Sequence, residues 1–283
     1  ANHVQFICSG RLTLTSATPV TTADVTAATS VFFTPYKGNT VSLYDGTKWV
    51  NYKFTELTLA VPASTSQMYD VFLYSNSGAL TLEAVAWTND TTRATALVGQ
   101  DGIYVKTGAT GRRYLGSFRT TAVSGQTEDS TAKRYLWNYY DRVLRQMRNA
   151  TETADSWNYT TATYRQANAN TQNQIDYVMG VSEDIIKATV IGRYANTNSG
   201  VQGTVGIGVD STSANSAQII ASVFTPAAGS GDNPMALYSG FPGVGRHTLV
   251  WLEYSAATGT GTFIGDAGAA TTVQFGITGE LIG

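Results

Sequence analysis

The chain is short of almost everything that disulfide, metal and redox chemistry need. A single cysteine, Cys8, stands among 283 residues. One cysteine cannot close an intramolecular disulfide or build a cysteine-based zinc site. Histidine is nearly as scarce: His3 and His247 lie far apart and in unlike surroundings. No cofactor or metal is expected from this inventory. Charge is sparse as well. Asp, Glu, Lys and Arg make up 13% of the sequence, about half the usual share. At a formal net charge of −2 there is no overall basic field to hold a nucleic acid. No apolar run reaches the length of a membrane helix, so no membrane insertion is expected. The opening Ala1-Asn2-His3-Val4-Gln5-Phe6 lacks the basic and apolar regions of a secretory signal. It reads as a chain that begins at Ala after loss of an initiator Met. The Asn-x-Thr sites at Asn89, Asn149 and Asn158 then read as chance matches in a Thr-rich chain.

What the chain has is β-forming material. Hydrophobic residues are 42% and aromatics 11%, with 28 glycines, 16 tyrosines and about 40 threonines. Thr and Tyr suit a pleated, half-buried surface, and the apolar share is ample for a core. The length gives a prior of two domains. Residues 1–125 read as a series of short strands. Val41–Tyr44 and Trp49–Phe54 flank Asp45-Gly46-Thr47-Lys48, and Asp-Gly supplies the positive φ that a hairpin turn needs. Tyr69–Tyr74 and Leu80–Trp87 flank Ser75-Asn76-Ser77-Gly78 as a second hairpin. Ile103–Lys106 and Tyr114–Phe118 flank a Gly-rich tip as a third.

Residues 119–131 look like a linker. Over 130–147 the period changes: Leu136, Tyr139 or Tyr140, Val143 and Met147 fall at helical spacing behind a Ser130 or Thr131 cap. An aromatic-rich extended connector fits nearly as well. From about 150 the chain returns to β, with strands expected at 156–165, 174–179, 187–194, 204–210, 246–254, 262–266 and 271–277. Glycines alternate at 206 and 208, a sign of close approach by another group. The fold class is therefore all-β: two β-sandwich or jelly-roll-like domains, 1–125 and 151–283, joined by a helical or extended connector over 126–150.

Motifs that carry chemistry are thin. Gly203–Gly208 and Gly240–Gly245 are glycine-rich, but no helix pattern follows either to offer phosphate a dipole. His247, Glu253 and Asp266 could be assembled into a hydrolytic site. No Gly-x-Ser-x-Gly nucleophile motif accompanies them, and His247 bonded to a neighbour with the acids facing water is the preferred reading. Glu83, Asp101, Glu183, Asp184 and Asp266 are available as a glycosidase pair, without any feature that selects two of them. Cys8 reads as a small buried residue. The basic cluster says more. Eight Lys or Arg residues lie between Arg112 and Arg148, against Glu128, Asp129 and Asp141. Tyr114, Tyr135, Trp137, Tyr139 and Tyr140 interleave with them. Single-stranded nucleic acid is one partner for such a segment. An oligomer junction is the other and the preferred one, carried by Tyr135, Trp137, Tyr139, Tyr140 and Arg142.

Several long strings resemble fibre-type proteins of tailed bacteriophages and prophages. They are Gly10–Thr15, Thr34–Asn39, Tyr69–Phe72, Ala86–Ala94, Gln100–Lys106, Arg113–Phe118, Lys133–Tyr140, Gly245–Glu253 and Phe275–Gly279. The resemblance covers most of the chain. It implies a homotrimeric virion-surface appendage, a tail or head fibre or spike, made in the bacterial host cytoplasm without a signal peptide. It supplies no catalytic residues, and no enzyme activity is expected. On this reading 1–125 docks to another virion protein, and 151–283 lies distally against a host-surface polysaccharide or protein. The alternate glycines would be pressed against symmetry mates. Exposed aromatic rings would stack on sugars, with Tyr194, Tyr238, Phe241 and Trp251 as candidates. The rivals are a capsid cement or decoration protein, and a tailspike-type glycan depolymerase.

Overall fold

Alternation of apolar and polar residues, punctuated by Gly and Asp turns, drives most of this chain into antiparallel hairpins. The computed structural model describes residues 6–283. His3 and the initiator-Met reading of the start lie outside the described residues. About half of the chain is strand and no α-helix occurs among the described residues; one turn of 3-10 helix spans Ala167–Ala169. The three expected hairpins form. Tyr44 pairs with Trp49, and the Asp45 carboxylate accepts the Thr47 and Lys48 amides across the turn, both at 2.9 Å. Asn76 pairs with Ala79 around Ser77 and Gly78, both at positive φ. Lys106 pairs with Ala109 around Thr107-Gly108.

The N-terminal half stacks a three-stranded sheet (Gly10–Thr13, Ser30–Pro35, Leu57–Ala60) and the Thr40–Tyr44/Trp49–Lys53 hairpin on a central sheet. Strands Met68–Asn76 and Ala109–Arg119 form the middle of that central sheet. Every residue from Met68 to Leu73 is buried, because both faces of the sheet are covered. Val71, Leu73 and Leu115 join Leu12, Phe33 and Leu43 in the N-terminal core. Phe72 and Tyr114 turn the other way, into a second core shared with the C-terminal half.

The C-terminal half is a sandwich. An eight-stranded sheet holds Gln174–Met179, Gly245–Ser255 and Gln202–Val209. A five-stranded sheet lies opposite, in the order Leu144–Asn149, Gly276–Ile282, Ile186–Ile191, Met235–Gly240, Ile219–Ala221. Ile175, Tyr177, Ile207 and Trp251 from the first meet Met147, Val190, Ala236 and Ile277 from the second.

Residues 119–150 are neither linker nor helix. They form Thr127–Asp129, Lys133–Arg134, Leu136–Asn138 and Leu144–Asn149. The first pairs with Val25–Ala28, the second runs parallel to Gln174–Met179, the third pairs with Ala109–Arg119 and the fourth with the last strand. The helical reading fails because the segment is buried from two sides. Adjacent Leu136 and Trp137 enter different cores, which the two-residue period of a strand allows. Two further expectations shift. Only Ser156–Asn158 and Arg165–Gln166 of 156–165 are strand, and 271–275 is turn ahead of the final strand.

Candidate functional site

The Arg–aromatic cluster is the seam between the halves. Arg113 is fully buried at 0% exposure. Its guanidinium donates to the Ile7, Ser42 and Phe6 carbonyls and to the Tyr140 hydroxyl, at 2.7, 2.8, 3.3 and 3.1 Å, and stacks over the Tyr140 ring. Arg11, equally buried, donates to the Pro19, Asp141 and Gly283 carbonyls. Chain start and chain end are thereby held together. Arg134 and Arg145 share Asp129 at 3.0 and 2.7 Å, and Arg119 pairs with Asp90 at 2.9 Å. Arg142 reaches Glu183 and Asp184 under the rings of Trp137 and Tyr139.

Of the five residues expected at an oligomer junction, Tyr135 and Trp137 are buried inside a single chain. The Tyr135 hydroxyl donates to Asp176, and burial together with that carboxylate pushes it up to about 12. Trp137 Nε1 donates to the Ile282 carbonyl at 3.0 Å. Tyr139, Tyr140 and Arg142 are half-buried against the same seam. The junction they make is intramolecular. Seven of the eight basic residues have carboxylate or carbonyl partners within the chain, which leaves little free charge for a nucleic acid.

The aromatic residues expected to meet sugars divide. Tyr194 and Trp251 are core residues at 0% and 1% exposure. The Tyr194 ring occupies the space left by Gly203, and its hydroxyl bonds Ser255 Oγ at 2.9 Å. Trp251 packs edge-on against Trp157. Neither can touch a ligand in this fold. Tyr238 is half-buried, and Phe241 stands 64% exposed. The close approach signalled by Gly206 and Gly208 is real, but the approaching groups belong to the same chain: Tyr164 and Asn215 over Gly206, and the Ser211 carbonyl over Gly208. No symmetry mate is needed to explain either.

The acidic residues are tied down rather than converging. His247 Nδ1 lies 2.7 Å from Asp210. Burial raises the Asp210 carboxyl, but hydrogen bonds from His247 and the Thr248 amide outweigh it and hold the group below its ordinary value. Glu253 and Asp266 do not face water: they are 0% and 8% exposed. Glu253 accepts from Trp157 Nε1, Arg165 Nε and the Asn168 amide. Burial outweighs these bonds and pushes its carboxyl up to about 7. Glu83 is held by Lys106 and Arg112, Asp101 accepts from Trp49, and Glu183 and Asp184 share Arg142. No metal-binding group of His, Cys, Asp and Glu occurs among the described residues. Cys8 is partly buried, and burial pushes its thiol up to about 11, so it is not a thiolate at neutral pH.

One surface was not legible in the sequence. The outer face of the five-stranded sheet is uncovered. In register across it run Leu144 beside Ile282, then Gln146, Glu280, Lys187 and Ser239, then Arg148, Thr278, Thr189, Leu237 and Ile219, then Gly276, Ile191, Met235 and Ala221. Leu144 and Ile219 are each 62% exposed, and Ile191 and Ile282 are also open. A concavity of about 500 Å³ opens on this face, lined by Leu144, Gln146, Lys187, Thr189, Thr278 and Glu280. The expected alternation in 187–194 pointed to a strand there. Which face lacks cover depends on sheet order, which local pattern does not carry.

No family model and no curated protein matches the chain. Among solved structures it is similar to a Cry1Da tryptic core variant from Bacillus thuringiensis, at 7% identity and a TM-score of 0.21, over 90% of this chain and 48% of that one. It is similar too to the insecticidal delta-endotoxin Cry8Ea1 from Bacillus thuringiensis, at 7% identity and a TM-score of 0.26, over 97% and 52%. The chain thus spans about half the length of these structures. Likeness this slight assigns neither fold nor activity.

Proposed function

We propose that the chain is a structural virion protein of the fibre type, assembled as a homotrimer through the outer face of its five-stranded sheet and contacting the host surface. The observation that carries this reading is that face. Leu144 and Ile282 at one end, Ile191 at the other and Ile219 at the edge are exposed apolar side chains around a polar middle that holds Gln146, Lys187 and Glu280. Exposed apolar side chains grouped on one uncovered sheet face are a candidate interaction site. Three copies of such a face, carrying both charge signs between apolar margins, can pack together around a threefold axis. The resemblance of the sequence strings to phage fibre-type proteins supports the same role, and so does the internal use of nearly all seam charges, which makes each protomer a stiff unit. The N-terminal half would dock on another virion protein and the assembly would stand on the virion surface. Its work is adhesion to a host polysaccharide or protein, with no bond-making step.

The experiment is the mass in solution. A value near three times 30.1 kDa is expected for the native chain, falling to one protomer in the Leu144→Lys, Ile219→Lys double variant. A native chain that stays at 30.1 kDa at working concentration overturns the assembly. Immunogold labelling adds the location: a tail or vertex position is expected, and an even distribution over the shell would favour a cement role instead.

A further inference from the structure

At the edge of the C-terminal sandwich, where the eight-stranded sheet meets the strand Ile219–Ala221 of the five-stranded sheet, lies a groove of about 350 Å³ lined by Tyr164, Gln202, Thr204, Ile220, Ser222 and Tyr254. Thr204 and Tyr254 are cross-strand partners and share one sheet face with Gln202, two residues along. Val205 and Ile207 point to the inter-sheet core instead. Tyr164 comes from the chain ahead of Arg165–Gln166 and lies over Gly206, where a Cβ would meet its ring. The two rings stand 5.4 Å apart at 47°, so together they form a fixed, angled apolar platform. Around it the Gln202 amide and the Ser222 and Tyr254 hydroxyls have side-chain donors and acceptors that take no partner within the described chain, while Thr204 Oγ1 bonds only its neighbour's carbonyl. No charged side chain lines the groove.

We infer that this groove binds a neutral saccharide unit, and that Tyr164 and Tyr254, not Tyr194 and Trp251, are the rings that stack on host glycan. The ligand class follows from the lining. Aromatic faces are electron-rich and attract the polarised C–H face of a pyranose in the way they attract cations, only more weakly. Sugar hydroxyls both donate and accept, and so do the Gln202 amide and the Ser222 and Tyr254 hydroxyls. The missing charge rules against phosphate or sulfate as the recognised group. A few placed polar groups on an apolar floor is the usual form of a small-ligand site. This inference rests on the host-contact reading above.

The test is saturation-transfer NMR on the native protein. The probes are the methyl glycosides of glucose, galactose, mannose, rhamnose and N-acetylglucosamine, each added separately. Transfer from aromatic protons to the ring protons of at least one glycoside is expected. Truncating an anchor ring or its hydrogen-bonding neighbour costs more than about 1 kcal/mol at a binding centre, so Tyr254→Ala and Gln202→Ala should each weaken that transfer at least about fivefold. Val123→Ala, on an exposed side chain of the N-terminal half outside the groove, should leave it unchanged. Gln202 is a surface amide whose removal spares the core, so it keeps the test readable if Tyr254→Ala folds poorly. No transfer to any of the five glycosides overturns the inference, whatever mass the protein shows. Transfer that survives both groove variants overturns the site while leaving the trimeric fibre reading intact. A monomeric mass with groove-dependent transfer overturns the assembly and keeps the groove.

Discussion

Arg113 shows what a single residue does here. Four of its five N–H donors are met by three main-chain carbonyls and a tyrosine hydroxyl in a site with no exposure. Removing it strands those carbonyls in the interior, where each unpaired polar group costs about 1–3 kcal/mol. Arg113→Met is therefore expected to lower stability by about 3–5 kcal/mol, read as a shift of the urea midpoint. Arg113→Lys should recover little, because an ammonium cannot reproduce the planar fork. Glu253 gives a pH signature. Its carboxyl rises from 4.5 to about 7 on folding. Below the lower value both states are protonated and the native fold keeps its full advantage. Between the two, the unfolded chain ionises while the folded one resists, so stability falls as pH rises towards about 7. Melting curves across that window should show this loss in the native chain and lack it in Glu253→Gln. Parallel profiles would contradict the assignment. The sequence showed that Arg and aromatic residues were concentrated between 112 and 148. It could not show that Arg113 would spend its donors on the Ile7 and Phe6 carbonyls, more than 100 positions away, or that most of the others would find carboxylates within the chain.

At the scale of the element, hairpins were the legible part. Asp45-Gly46 and Ser77-Gly78 write their turns locally, and pairing follows from the turn. The 130–147 segment was not legible, because its spacing of Leu136, Tyr139 or Tyr140, Val143 and Met147 satisfies a helix as well as a strand that bends. Burial on two sides settles it, and that comes from elements distant in sequence. Gly206 and Gly208 were legible as sites of close approach, but not as to whose atoms approach. A Cβ at Gly206 would stand 2.7 Å from Asn215 Oδ1 and 2.9 Å from the Tyr164 ring. Gly206→Ala is expected to cost about 1–3 kcal/mol by overpacking and to weaken sugar transfer by displacing Tyr164. Gly99, in the strand Leu97–Gln100, has open space around its Cβ position. Gly99→Ala should be neutral or stabilising by up to about 1 kcal/mol, which thermal melts of the two variants will separate.

Across the whole molecule, the all-β class was readable from composition and period. How the N-terminal and C-terminal stretches join was not. The central sheet is buried on both faces, and the eight-stranded sheet takes Val25–Ala28 and Thr127–Asp129 from the N-terminal half. The halves therefore share strands and a core, and should unfold together. A single urea transition, with coincident near-UV and far-UV signals, is expected; two separate transitions would mean that the seam is weaker than its buried arginines imply. The same burial changes where assembly can occur. Tyr135 and Trp137 are occupied within the chain, so the proposed contacts between copies are assigned to the open face of Leu144, Lys187, Ile191, Ile219, Glu280 and Ile282. Sedimentation equilibrium of the native chain beside the Leu144→Lys, Ile219→Lys variant tests this most directly. The account predicts close to three times 30.1 kDa for the first and a folded single protomer for the second. A native chain that sediments as one protomer, or a double variant that still sediments as three, would contradict it.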